Sequence, residues 1–162
     1  MKRTHYCGAV KVSDIGTTVN VCGWVHARRD HGGVVFIDLR DREGIVQVVF
    51  HPENKDIFSV AEKLRSEFVV EIVGIVRQRP AGTENPHMLT GQVEVVSDAI
   101  TIINSAPGLP FEISDFSDVS EDIRLKYRYL DLRKPKIMKH FLVRHKLLQA
   151  TRKHLDAQGF IE

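Results

Sequence analysis

Residues 28–41 read RRDHGGVVFIDLRD, and the division of this stretch into strand and turn decides the fold. As a strand resuming after Gly32-Gly33, it places successive side chains on opposite faces. Val35, Ile37 and Leu39 share one face and belong in a core. Phe36, Asp38 and Arg40 share the other, so an aromatic ring stands among charges. Arg28, Arg29 and His31 lie where the preceding strand enters its turn.

Further β-rich segments flank this stretch. TVNVCGWVHARR (18–29) carries valines at alternate positions, and Trp24 within it is expected in the core. VVFIDLRD (34–41) and GIVQVVF (44–50) are joined by the turn signal REG and read as a hairpin. HPENKDIFSVAEKLRSE follows, with Ile57, Val60, Ala61 and Leu64 at helical spacing. FVVEIVGIVRQR (68–79) returns to β, PAGTENPHMLTG (80–91) breaks it, and QVEVVSDAITIIN (92–104) closes it.

Three strands, a helix and two strands is the order of a mainly β, five-stranded Greek-key barrel, the OB-fold. A β-sandwich is the alternative, but five strands are few for it. In an OB-fold, strands 2 and 3 and the loops between strands 1–2 and 4–5 bind oligonucleotides. Those loops would be DHGG and PAGTENPHMLTG, the second rich in turn-forming residues and suited to an adaptable surface.

Residues 1–104 are thus expected to form the barrel, 105–120 a linker, and 121–162 the start of another domain. Pro135 suits a first helical turn and Gly159 a helix end, with Ile137, Phe141, Leu148 and Leu155 as an apolar stripe between them.

Composition excludes several classes. The chain has 162 residues, 43% hydrophobic and 27% charged, as expected of a soluble fold. No apolar run approaches the roughly 20 residues that span a bilayer, and MKRTHYCG lacks the apolar stretch of a signal peptide. Cys7 and Cys22 are the only cysteines and lie outside any CxxC spacing, so they read as reduced thiols of a cytoplasmic protein. The eight histidines form no HExxH pattern, and no metal site is expected. The net charge of +2 conceals a division: 12 basic and 13 acidic side chains in 1–103, but 11 basic against Asp122 and Asp131 in 122–154. The basic block is either a nucleic-acid contact or a solvated helix face.

On the outward barrel face the expected groups are Phe36, Asp38 and Arg40, with Gln47 from strand 3, Arg77 and Arg79 from strand 4, and Glu94 from strand 5. Single-stranded bases stack on aromatic rings and are hydrogen-bonded along their edges. Phe36 supplies a ring, and Gln47 both donates and accepts. Glu94 can accept from the N1–H and N2–H₂ donors of a guanine. The arginines can hold phosphates. Taken one at a time, each also has an ordinary reading: a ring covered by a loop, strand surface, or arginines paired with Glu71 or Glu94. Their convergence on the binding strands favours the functional one.

RDxGGVxFIDLRDREGxVQ, the later RLKYRYLDLR and the closing GFIE together closely resemble the N-terminal part of bacterial-type aspartyl-tRNA synthetases, across essentially the whole chain. Asparaginyl and lysyl enzymes share related motifs, but FIDLRDREGIVQVVF fits the aspartyl type best. The resemblance implies a homodimeric cytoplasmic ligase that activates aspartate with ATP and Mg²⁺ and charges tRNA(Asp). It implies anticodon contacts by Arg29, Phe36, Gln47, Arg77, Arg79 and Glu94. Phe36 and Gln47 would address the central uridine, Glu94 the first-position guanine, and Arg29 the third base. Many discriminating members have leucine after RRD, where this chain has His31. With Gly82, which adds no side chain to the second loop, His31 would admit either C or U at the third position, and so tRNA(Asn) as well. The alternative is that His31 merely replaces an apolar loop residue.

The class II catalytic motifs are absent apart from the lead-in GFIE. Residues 121–162 are therefore expected to be the first helices of a truncated class II α+β catalytic domain. The chain itself should have no catalytic residue, no cofactor and no ligase activity. Two other functions remain open on the residues: a single-stranded nucleic-acid module without sequence choice, and a protein-interaction barrel.

Overall fold

In the computed structural model, which describes residues 3–162, the chain divides into two compact units, Met1–Gly108 and Leu109–Glu162. The first is a closed barrel of β1 (Thr18–His31), β2 (Val34–Arg40), β3 (Ile45–Phe50), β4 (Val69–Gln78) and β5 (Val93–Asn104). The strand order is β1-β2-β3-β5-β4, with β1 pairing back onto β4, so no edge is left open. All pairs are antiparallel except β3 with β5. This is the expected Greek-key OB barrel.

Strand β1 serves two neighbours. Residues 18–24 pair with β4 and 24–31 with β2, with a register shift between Val25 and Ala27. The irregularity bends the strand from one sheet direction to the other. Trp24, expected in the core, is only half-buried because it alternates with the fully buried Val21 and Val25 and takes the opposite face. Strand β1 runs to His31, further than expected, because Gly32 (φ 60°) and Gly33 (φ 79°) alone make the turn. Positive φ at both positions matches the twist of a two-residue hairpin. Asp30 and His31 are consequently ladder residues opposite Val35 and Val34, not loop residues.

Alternation works as read in the hairpin that follows. Val35, Ile37 and Leu39 from β2 and Val46, Val48 and Phe50 from β3 are all fully buried. They meet Val70, Ile72 and Val76 of β4 and Val93 and Val95 of β5. Where β4 crosses β5, Gly74 lets the backbones close up; a Cβ there would stand 2.2 Å from the Val96 carbonyl oxygen. Helix α1 (Lys55–Lys63) begins at Asn54, whose side chain accepts from the Ile57 N–H. It sets Ile57, Phe58 and Ala61 against the core.

The second unit contains α2 (Glu121–Lys126), α3 (Arg128–Asp131) and α4 (Pro135–Ala157). Phe111 and Ile113, inside the stretch read as a linker, are buried with Leu130. The basic block proves partly internal: Arg124 and Arg128 donate to the buried Asp131 at 2.9 and 2.6 Å, and Lys134 approaches it at 3.8 Å. These cations hold the Asp131 carboxyl below its ordinary range, the Arg124 hydrogen bond contributing most. Helix α4 starts at Pro135, and Gly159, at φ 84°, follows its end. Its stripe residues Phe141, Leu148 and Leu155 remain over two-fifths exposed. Among the described residues no helix is long and apolar enough to cross a membrane.

Candidate nucleic-acid interface

The outer face of β2 and β3 carries a groove of about 540 Å³, in the range of ligand-sized clefts. Its apolar part is Phe36, Val34 and Val49, which alternation places on one face because Phe36 and Val49 are register partners. The β1–β2 hairpin contributes Arg29, Asp30 and His31, and β4 and β5 contribute Arg77 and Glu94. Pro80 and Thr83 come from the long loop, and His51 from the residue after β3.

A chain of hydrogen bonds crosses this face. Arg29 clamps Asp38 with both terminal nitrogens, at 2.7 and 3.0 Å, and donates to Gln47 Oε1 at 3.2 Å. Gln47 Nε2 donates to Glu94 Oε2 at 2.7 Å. Arg77 Nε donates to Glu94 Oε1, also at 2.7 Å. The strand registers cause this: Asp38 is opposite Gln47, and Arg77 opposite Glu94. Each carboxylate thus has a cation across the ladder.

Of the residues expected to bind, Arg29, His31, Phe36, Gln47, Arg77 and Glu94 gather in this groove. The structure adds to two expectations and corrects a third. Glu94 is on the outward face, yet it is only 1% exposed, because Gln47 and Arg77 cover it. Arg77 is ion-paired with Glu94, the ordinary reading entertained from the sequence, with its side chain 40% exposed. Arg79 is not on the face at all. Strand β4 ends at Gln78, and the Arg79 side chain turns under the long loop, 5% exposed, donating from Nε to the Val93 carbonyl at 3.1 Å. Burial lowers its pKa from the usual guanidinium value, against the pull of Glu94 and Asp38.

Gly82 stands outside the groove at φ 82°, with nothing within 4 Å of where a Cβ would be, although Pro80 and Thr83 beside it reach in. The loop carrying it folds on itself, with Asn85 N–H donating to Gly91 O, and is tied to β3 by Thr90 Oγ1 donating to Ile45 O at 2.6 Å. Sequence reasoning missed His51, Val49 and Thr83. Alternation carried one residue past Phe50 would have found His51, which shares the face of Gln47 and Val49.

Chemically the groove offers one aromatic platform, amide and carboxylate edges, and cations at its sides. That suits a planar heterocycle with a polar edge. Among the described residues, no group of three His, Cys, Asp or Glu side chains could hold a metal ion.

Comparison with known proteins gives the same direction. Residues 19–103 match the family model for the OB-fold nucleic acid binding domain, and residues 120–162 that for class II tRNA synthetases (D, K and N). An aspartate–tRNA(Asp/Asn) ligase of Endomicrobium trichonymphae is 60% identical over 162 residues, covering 100% of this chain and 28% of that protein. A protein of the same name from Legionella pneumophila (strain Corby) is 52% identical over 160 residues, covering 99% of this chain and 27% of its own. The chain thus spans just over a quarter of these relatives. In structure it is similar to the asparaginyl-tRNA synthetase of Pyrococcus horikoshii, solved with asparaginyl-adenylate. The TM-score is 0.81 at 28% identity, over 99% of this chain and 35% of that one.

Proposed function

Because this chain belongs to the OB-fold nucleic acid binding domain family, with a class II tRNA synthetase segment after it, we propose that it is the anticodon-reading module of an aspartate–tRNA ligase. The observation that carries this reading is the convergence of Phe36, Gln47 and Glu94 in one groove. Phe36 stacks the central uridine, and Gln47 meets its edge. Glu94 accepts from the first-position guanine, and Arg29 lies toward the third base. The whole protein would be a cytoplasmic homodimer that attaches aspartate to tRNA with ATP and Mg²⁺. The described residues offer no carboxylate cluster for Mg²⁺, and no step of that reaction is assigned to them.

We propose further that both tRNA(Asp) and tRNA(Asn) are read. Their anticodons, GUC and GUU, differ only at the third base. Cytosine shows an amino donor beside an acceptor nitrogen; uracil shows an oxygen acceptor beside an N–H. A neutral imidazole carries one donor and one acceptor nitrogen, and its tautomers exchange them. His31 is exposed at the end of β1, where it can present either pattern, and Gly82 adds no side chain of its own to the long loop.

A sequence-blind single-strand binder is the second reading, favoured by the apolar Phe36–Val34 floor, which would accept any base. One competition experiment separates the readings. GUC and GUU stem-loops should both displace an oligopyrimidine strand, and should differ from one another by less than about tenfold, 1.4 kcal/mol. Equal binding of the oligopyrimidine would favour the blind binder. A GUC preference of tenfold or more would end the dual-reading proposal.

A further inference from the structure

Glu94 is the group proposed to read guanine, yet at 1% exposure no base can reach it unless a neighbour moves. Its oxygens are occupied by Gln47 Nε2 and Arg77 Nε, each at 2.7 Å. The two neighbours are not equally fixed. Gln47 is held from behind by Arg29, which is itself clamped on the buried Asp38. Arg77 lies near the end of β4 beside the long loop, and its side chain is 40% exposed. Arg77 is the neighbour that can leave.

We infer that Arg77 is a latch on the guanine-reading carboxylate: it occupies Glu94 in the free protein and passes to an RNA phosphate when guanine takes its place. The inference rests on the anticodon reading above. The exchange gives up one charge-assisted donor, Arg77 Nε, and gains two. Guanine brings N1–H and an N2–H to Glu94, and each carboxylate oxygen can accept more than one hydrogen bond. Adenine sets an acceptor nitrogen beside one amino donor. Cytosine does the same, and uracil has one N–H between two carbonyls. Each of these returns one neutral donor in place of a charge-assisted one and sets an acceptor against the carboxylate, so opening the latch for them leaves a buried charge under-bonded. Arg77 therefore stays on Glu94 when the first base is not guanine. When guanine binds, its guanidinium is displaced beside the strand whose backbone supplies the nearest anions.

Coupling between base identity and a phosphate contact is the signature. It is read from the salt dependence of stem-loop binding by the 162-residue chain, with GUC and AUC loops and with wild type and Arg77→Met. For wild type, the log–log slope should be steeper with GUC than with AUC by roughly 0.7, the single-strand value of one phosphate contact. Arg77→Met should remove that difference. Between about 50 and 200 mM salt the variant's GUC affinity would then fall roughly 2.5-fold less than wild type's, with AUC unchanged. A slope lowered equally for both loops would mean a permanent phosphate contact and would overturn the latch. Slopes unchanged for both would mean a purely structural ion pair and would overturn it too. Should Arg77→Met fail to fold, equal wild-type slopes on the two loops overturn it alone. Wild type binding neither loop above an oligopyrimidine would instead remove the anticodon reading itself, and the latch with it.

Discussion

Glu94→Gln is expected to weaken binding of a GU-containing anticodon stem-loop by about 3 kcal/mol, on the order of 100-fold. The substitution keeps the shape of a side chain that is 1% exposed, so the β4–β5 ladder should stay intact. What changes is the edge. A carboxylate faces guanine with two acceptors, whereas an amide turns one of them into a donor. That donor opposes a guanine N–H, and one charge-assisted hydrogen bond is lost outright. Adenine, with an acceptor beside a donor, suits the amide better. Binding of an AU-containing loop should therefore hold within about threefold or improve, so that selectivity at the first base is reduced or reversed. Titration of wild type and variant with both loops reads this directly. An equal loss on both loops would reduce Glu94 to an anchor for Arg77 and Gln47.

The next largest effect is expected for Phe36→Ala, which should cost about 1–3 kcal/mol of stem-loop affinity, the worth of one base–aromatic stack. The ring is half-buried on the outer face, while its neighbours Val35 and Ile37 are fully buried on the inner one. Truncation should therefore leave the thermal midpoint close to that of wild type. The loss should be similar whichever base stands first, because stacking uses the face of a base and not its edge. A domain that unfolds without RNA, or one that binds as before, would remove Phe36 as the platform.

The barrel was legible because its core obeys a period of two. Val35, Ile37 and Leu39, then Val46, Val48 and Phe50, could be assigned to the interior by counting alone. The same count put Phe36, Gln47, Arg77 and Glu94 outside, where they share one groove. Counting failed where the period is interrupted. At the irregularity between Val25 and Ala27 the face of β1 changes, so Arg29 stands beside Phe36 on the outer face where a straight count from Val25 would turn it inward. Beyond Gln78 the strand ends, and Arg79 follows the long loop inward instead of continuing the outward row.

A second kind of fact was out of reach for a different reason. Alternation gives the face of Glu94 but not its accessibility, because the side chains that cover it come from β3 and β4, far apart in sequence. The clamp of Arg29 on Asp38 depends likewise on the pairing of β1 with β2. In the second unit, charge counting saw a basic block against two acids. It could not show that Asp131 is buried and draws Arg124, Arg128 and Lys134 onto itself. Local pattern thus reports which face a residue takes, and pairwise electrostatics across the fold decides what it is free to touch.

The central claim is that this groove reads the first two anticodon bases, and single-base competition tests it most directly. The 162-residue chain, bound to a labelled GUC stem-loop, is challenged with unlabelled GUC, AUC and GCC loops of the same stem. The first removes nothing that Glu94, Phe36 and Gln47 need, the second removes the paired donors for Glu94, and the third removes uridine from the Phe36–Gln47 position. The expected result is that AUC and GCC each compete at least about tenfold more weakly than GUC, 1.4 kcal/mol or more. All three loops competing within about twofold would contradict it, leaving a barrel that holds RNA without reading it.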